Sequence, residues 1–145
     1  MPHRTAALVG LLLLAGPALA LDYRSVTEAA AMYDAPSQKA KPLHAIARGT
    51  PVEVVVSVEG WIKVRDPKGD LAWIEKRHLA DLRMVIVRVD RAQVRAQGDD
   101  KAALTFEAAQ DVVLELLEPA VAGWARVRHR DGQAGYVKAS QIWGL

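Results

Sequence analysis

The sequence predicts an all-β chain built from two copies of one small domain, and three observations carry that prediction. The stretch "GWIKVRDPKGDLAWI" at residues 60–74 returns as "GWARVRHRDGQAGYV" at 123–137, so that Trp61 falls on Trp124. Within both stretches apolar and polar residues alternate, the period of a strand with one buried face. A Pro-Lys-Gly or Asp-Gly turn divides each stretch in two, as a hairpin requires.

The chain has 145 residues and no cysteine. It opens with "MPHRTAALVGLLLLAGPALA". Arg4 supplies a positive start, Ala6 to Ala15 an apolar run, and Pro17 with Ala18-Leu19-Ala20 a small-residue cleavage signal. That order is a secretory signal peptide over residues 1–20, cut after Ala20. The run is shorter than the ~20 apolar residues of a spanning helix, and there is no cysteine to carry a lipid. The expected location is therefore periplasmic or secreted, with the membrane met only through the export signal. Past the signal, 18 basic residues face 17 acidic ones. Binding of nucleic acid by counterion release needs a strong basic excess on one face, so nucleic acid is not an expected partner.

The doubling reaches beyond the two stretches. "RGTPVEVVVSVEG" faces "AQDVVLELLEPAVAG", "AAMYDAPSQKAKPLHAIA" faces "RAQVRAQGDDKAALTFEA", and "EKRHL" faces "KASQI". The copies are placed at 22–82 and 83–145. A period near 60 is too long for most solenoid repeats and fits a duplicated small domain. Modules of about 60 residues bury only about 60% of their unfolded surface. Docking of one copy on the other would offset that.

Each element follows from local chemistry. "PVEVVVSV" at 51–58 is a β-branched strand. In "WIKVR", Ile62 and Val64 point one way and Trp61, Lys63 and Arg65 the other. "DPKGD" and "RDGQ" are hairpin turns, "LAWI" and "GYV" the return strands, and "EKRHL" and "KASQI" single 3₁₀ turns. "MVIVRVD" opens the second copy as a strand. "TFEAAQDVVLELLE", residues 105–118, has Phe106, Ala109, Val113 and Leu116 or Leu117 at helical spacing. Its counterpart contains Gly49 and Pro51 and cannot be a continuous helix. Duplication preserves fold, so a strand is expected from Val112 to Leu117.

The ordered set of Gly-Trp, alternating Val and Lys/Arg, a Gly turn, then a small residue, an aromatic and a β-branched residue resembles bacterial SH3-like (SH3b) domains, twice over. "AQVRAQGDD" at 92–100 is similar to the opening of such domains. The first copy departs there, with Tyr33 where an Arg is usual. The resemblance implies two tandem SH3-like β-barrels of five or so strands each. It also implies a binding module of the cell envelope, of the kind often attached to peptidoglycan hydrolases, whose partner is a peptidoglycan peptide or an envelope protein. A structural protein of an envelope complex, its two barrels docked and no wall ligand bound, is the alternative.

No enzyme is expected. His3, His44, His78 and His129 are scattered, with no HExxH or paired-His spacing for zinc. No GxSxG, GxGxxG or P-loop occurs, and a papain-like wall peptidase would need a cysteine. A wall hydrolase relying on scattered carboxylates remains the catalytic possibility. No cofactor or metal is expected. The candidate ligand-binding residues are Tyr33, Trp61, Arg65, Trp73, Trp124, Arg128 and Tyr136. Flat rings can hold an extended or Pro-rich peptide, and the arginines suit a peptide carboxylate. The competing expectation places the aromatics, Trp143 included, in the barrel core or the seam between copies, because a fold must keep its core twice. Tyr23 and Tyr33 would on that view be ordinary surface tyrosines.

Overall fold

The structure is a computed structural model that describes residues 21–145. The expected export signal, residues 1–20, lies outside the described residues. The first copy contains β1 (Tyr23–Val26), β2 (Ala30–Tyr33), β3 (Pro42–Ile46), β4 (Pro51–Val58), β5 (Trp61–Arg65), β6 (Leu71–Glu75) and β7 (Leu79–Ala80). The second contains β8 (Met84–Val87), β9 (Arg91–Arg95), β10 (Leu104–Ala109), β11 (Val113–Val121), β12 (Trp124–Arg128), β13 (Ala134–Lys138) and β14 (Ile142–Trp143). One 3₁₀ turn precedes β7 and one precedes β14, at Lys76–His78 and Ala139–Gln141. Each copy forms a seven-stranded antiparallel sheet with the same order, β3-β2-β6-β5-β4-β1-β7 and β10-β9-β13-β12-β11-β8-β14.

Each sheet closes on itself. Ile46 on edge strand β3 and Leu79 on edge strand β7 pack into one core cluster with Val26, Met32, Val52 and Val64. Laid flat, strands six places apart would be roughly 29 Å from one another. Only a rolled sheet brings them together, which makes each copy a small barrel. The strand count exceeds the expected five or so because short pieces pair at the sheet's end, β1 with β7 and β8 with β14.

The alternation read from the sequence holds. Ile62, Val64, Ala72 and Ile74 are buried in the first copy, and Ala125, Val127 and Val137 in the second. The segment with helical spacing is two strands. Asp111 takes a positive φ of 69° and ends β10, and β11 pairs with β8 through Leu114↔Val85. Leu114 is thereby fully buried. Helix propensity differs by only a few tenths of a kcal/mol per residue, less than burial of a leucine contributes. The alignment of the opening strands shifts by one residue: Tyr33 pairs with Trp73 as Arg95 pairs with Tyr136, so Tyr33 and Arg95 are the equivalent positions.

The copies dock. Tyr23 of β1 meets Trp143 of β14 edge to face, with ring centroids 5.3 Å apart. The Arg83 guanidinium lies 5.3 Å from the Tyr23 ring centre, and its Nη2 donates to the Gly144 carbonyl at 2.7 Å. Gly144 has φ of 113°, and a Cβ there would come within 2.9 Å of the Met84 carbonyl and 3.2 Å of Pro51 in the other copy. The backbones therefore approach where no side chain fits. Tyr23 is not the surface tyrosine expected from sequence: it is 8% exposed, because the second copy covers its ring. Burial pushes its phenol pKa up, with Glu53 adding to the effect.

Two outcomes are expected. Trp143→Ala would lower the unfolding free energy by about 2 kcal/mol, roughly half the cost of a fully buried aromatic because the ring is half-buried; urea denaturation reads it. A tyrosine whose pKa rises on folding contributes stability that is intact below its unfolded pKa and lost as pH rises through the folded one. The thermal midpoint should therefore fall more steeply above about pH 10 in the native protein than in Tyr23→Phe.

Candidate functional site

The strands that bury Ile62, Val64, Ala72 and Ile74 turn their other residues outward. On that outer face Tyr33 pairs with Trp73, Trp73 with Lys63, and Trp61 with Glu75. The Tyr33 and Trp61 rings meet edge to face, 5.6 Å between centroids. All three aromatics are half-buried, outside the core cluster. The loop after β2, residues 34–41, is held beside them. Its Gln38 Nε2 donates to Glu75 Oε1 at 2.8 Å. The Glu75 carboxyl is held below the usual carboxylate range, first by its hydrogen bond from Arg77 and then by that from Gln38.

The second copy repeats the layout with other chemistry. Trp124 pairs with Lys138, and Tyr136 with Arg126 and Arg95. Trp124, Arg126 and Tyr136 frame a groove of about 420 Å³ with Gly98, Glu118 and Val121. Trp124 lies so close to Gly98 that a Cβ there would meet its ring at 3.1 Å. The loop is tethered at the same place as in the first copy, here by an ion pair: Lys138 Nζ to Asp100 at 2.7 Å. Lys138 also sits 5.8 Å from the Trp124 ring centre. Arg95 Nη1 donates to the Ala102 carbonyl at 2.9 Å, fixing the loop's far side.

Five of the seven sequence-predicted residues gather on these outer faces: Tyr33, Trp61 and Trp73 on one, Trp124 and Tyr136 on the other. The arginines do not join them. Arg65 stands 3.5 Å from Glu53, and Arg128 stands 2.8 Å from Glu115. Arg128 lines a different cleft, between the copies. Sequence reasoning missed the loop tethers Gln38–Glu75 and Asp100–Lys138, and missed Arg95 and Arg126. Spacing gave no signal for the tethers, because each joins residues 37 or 38 positions apart. Among the described residues no group of three or more His, Asp or Glu could hold a metal ion, and no helix is long and apolar enough to cross a membrane. What the arrangement offers is flat aromatic area beside a held loop, with Lys63 and Glu75 beside the rings on one face and Arg126–Glu118 and Lys138–Asp100 pairs beside them on the other. Cutting the tether should free the loop: Glu75→Ala is expected to speed amide hydrogen exchange across residues 35–40, while the amides of β5 keep their protection.

No curated protein matches the chain. Among solved structures it is similar to NlpC2 from Trichomonas vaginalis, with 14% identity and a TM-score of 0.40 over 86% of this chain and 48% of that one. NlpC1 from Trichomonas vaginalis gives 14% and 0.40 over 88% and 47%. An NlpC/P60 family protein from Bacillus cereus gives 16% and 0.39 over 83% and 55%. The chain thus spans about half the length of each. The family described as "Bacterial SH3 domain" matches twice, at residues 26–81 and 88–144. With both barrels covered by that family and their strand orders identical, the chain belongs to the bacterial SH3 domain family, in two copies.

Proposed function

We propose that this is a non-catalytic, exported binding protein of the cell envelope, whose outer aromatic faces each take an extended peptide. The ligand would be a peptidoglycan stem or a segment of an envelope protein. One observation carries the reading. In both copies the buried core is aliphatic, and Tyr33, Trp61 and Trp73 in one and Trp124 and Tyr136 in the other stand outside it, beside a loop held in place.

The two faces would not take the same peptide. Lys138 lies beside the Trp124 ring and Arg126 lines the groove with Tyr136, so a ligand carboxylate there would replace Asp100 or Glu118 as their partner. Tyr33, Trp61 and Trp73 have Glu75 beside them and suit an apolar or Pro-rich stretch. Arg65 and Arg128, each partnered by a glutamate, hold the barrel surface rather than the ligand. The docked seam supports a second reading, in which the rigid pair of barrels is a scaffold with no wall ligand.

Sedimentation of the purified protein with isolated cell walls tests the first reading. Retention is expected, and Trp61→Ala with Trp124→Ala should abolish it. Each half-buried ring would cost about 2 kcal/mol, as at Trp143, so retention is compared at a temperature at which circular dichroism shows the double variant folded. No retention on walls, together with no partner in periplasmic crosslinking, would refute the proposal. A partner without wall retention would favour the scaffold, and clearing on a wall zymogram would reveal an enzyme.

A further inference from the structure

The duplication leaves two clefts along the seam, related by the internal repeat. In one, of about 500 Å³, the β12–β13 turn faces the β3–β4 loop of the first copy. In the other, of about 550 Å³, the β5–β6 turn faces Asp111 in the β10–β11 loop of the second copy. The turns are built alike. Asp66 N donates to the Asp70 carbonyl at 2.9 Å and His129 N to the Gln133 carbonyl at 2.8 Å. Their charges are opposite. The second cleft presents Asp66, Asp70 and Asp111 against Lys68. The first presents Arg48, Arg128 and Arg130 against Glu115.

In the cationic cleft Glu115 is engaged by Arg128 at 2.8 Å. Arg48 and Arg130, contributed by different copies, have no ion-pair partner among the described residues. Both are exposed. Between them the floor is apolar, with Val26, Met84 and Val113. Leu82 stands at the cleft with 54% of its surface in water. Two guanidinium groups without ion-pair partners, one from each copy, in a cleft with an apolar lining are complementary to carboxylates flanking an apolar side chain. His129, held by Asp131, also lines the cleft, and no Trp, Tyr or Phe does.

We propose that the Arg48–Arg130 cleft is a second binding site, separate from the aromatic faces, for an extended acidic protein segment with an apolar residue between its acids. The site exists only where both copies meet, since each supplies one arginine.

Fluorescence anisotropy with a labelled, end-blocked Gly-Asp-Glu-Leu-Asp-Glu-Gly peptide tests it, with the counterpart carrying lysine for each acid as control. The acidic peptide should bind the two-copy protein, more weakly as salt rises, and the lysine peptide should not. Arg48→Glu with Arg130→Glu should lower affinity at least ~10-fold. Lys76→Glu with Arg91→Glu changes net charge equally at other sites and should leave binding within about twofold. The thermal midpoint of the first variant and its retention on walls should stay as in the native protein, which separates this site from the aromatic faces. Equal binding of the two peptides, an equal loss in both double variants, or displacement of the probe by soluble peptidoglycan fragments would overturn the proposal.

Discussion

The fold depends on one requirement: a chain of about sixty residues with a single sheet must find a second wall for its own apolar face. There is no helix and no second sheet in either copy to supply it. The sheet rolls until its edges share a core, bringing Ile46 and Leu79 of opposite edges into contact with the same cluster. The interior is then narrow and takes Val, Ile, Ala, Leu and one Met. Phe106 packs at the margin of the second core, and the tryptophans and tyrosines stand outside the sheet or at the seam. The aromatic faces are thus a consequence of barrel closure as much as of selection for a ligand.

Duplication kept the backbone and let the chemistry diverge. The two loops after β2 and β9 have the same hydrogen bonds, Asp34 to Lys41 and Ala96 to Ala103. They are pinned at the same strand end, yet by an amide–carboxylate bond in one copy and an ion pair of reversed sign in the other. The seam clefts invert in the same way, aspartates in one and arginines in the other. A scaffold held by backbone bonds and aliphatic packing leaves its outward positions free to change charge, which is how one fold presents unlike surfaces twice.

The seam links these levels. Neither barrel is large, and the Tyr23–Trp143 contact with Arg83 across it joins the first strand of one copy to the last strand of the other. It buries a tyrosine that an isolated copy would expose. It also brings Arg48 and Arg130 to one cleft, so the relative placement of the barrels creates a surface that neither has alone.

The duplication, the all-β class, the hairpins and the inward alternation were legible from residues 60–74 and 123–137, because strand period and turn chemistry are local. The outer rings were legible for the same reason: Trp61 and Trp124 alternate with charged residues. Helical spacing in 105–118 misleads when read alone, and the repeat corrects it. What only the tertiary structure decided are the contacts between residues distant in sequence: Tyr23 under Trp143, the tethers on Glu75 and Lys138, and the pairing of Arg65 and Arg128 with glutamates. Periodicity states which way a side chain points from its own strand. Which partner it meets there depends on the register of strands that only closure and docking bring side by side.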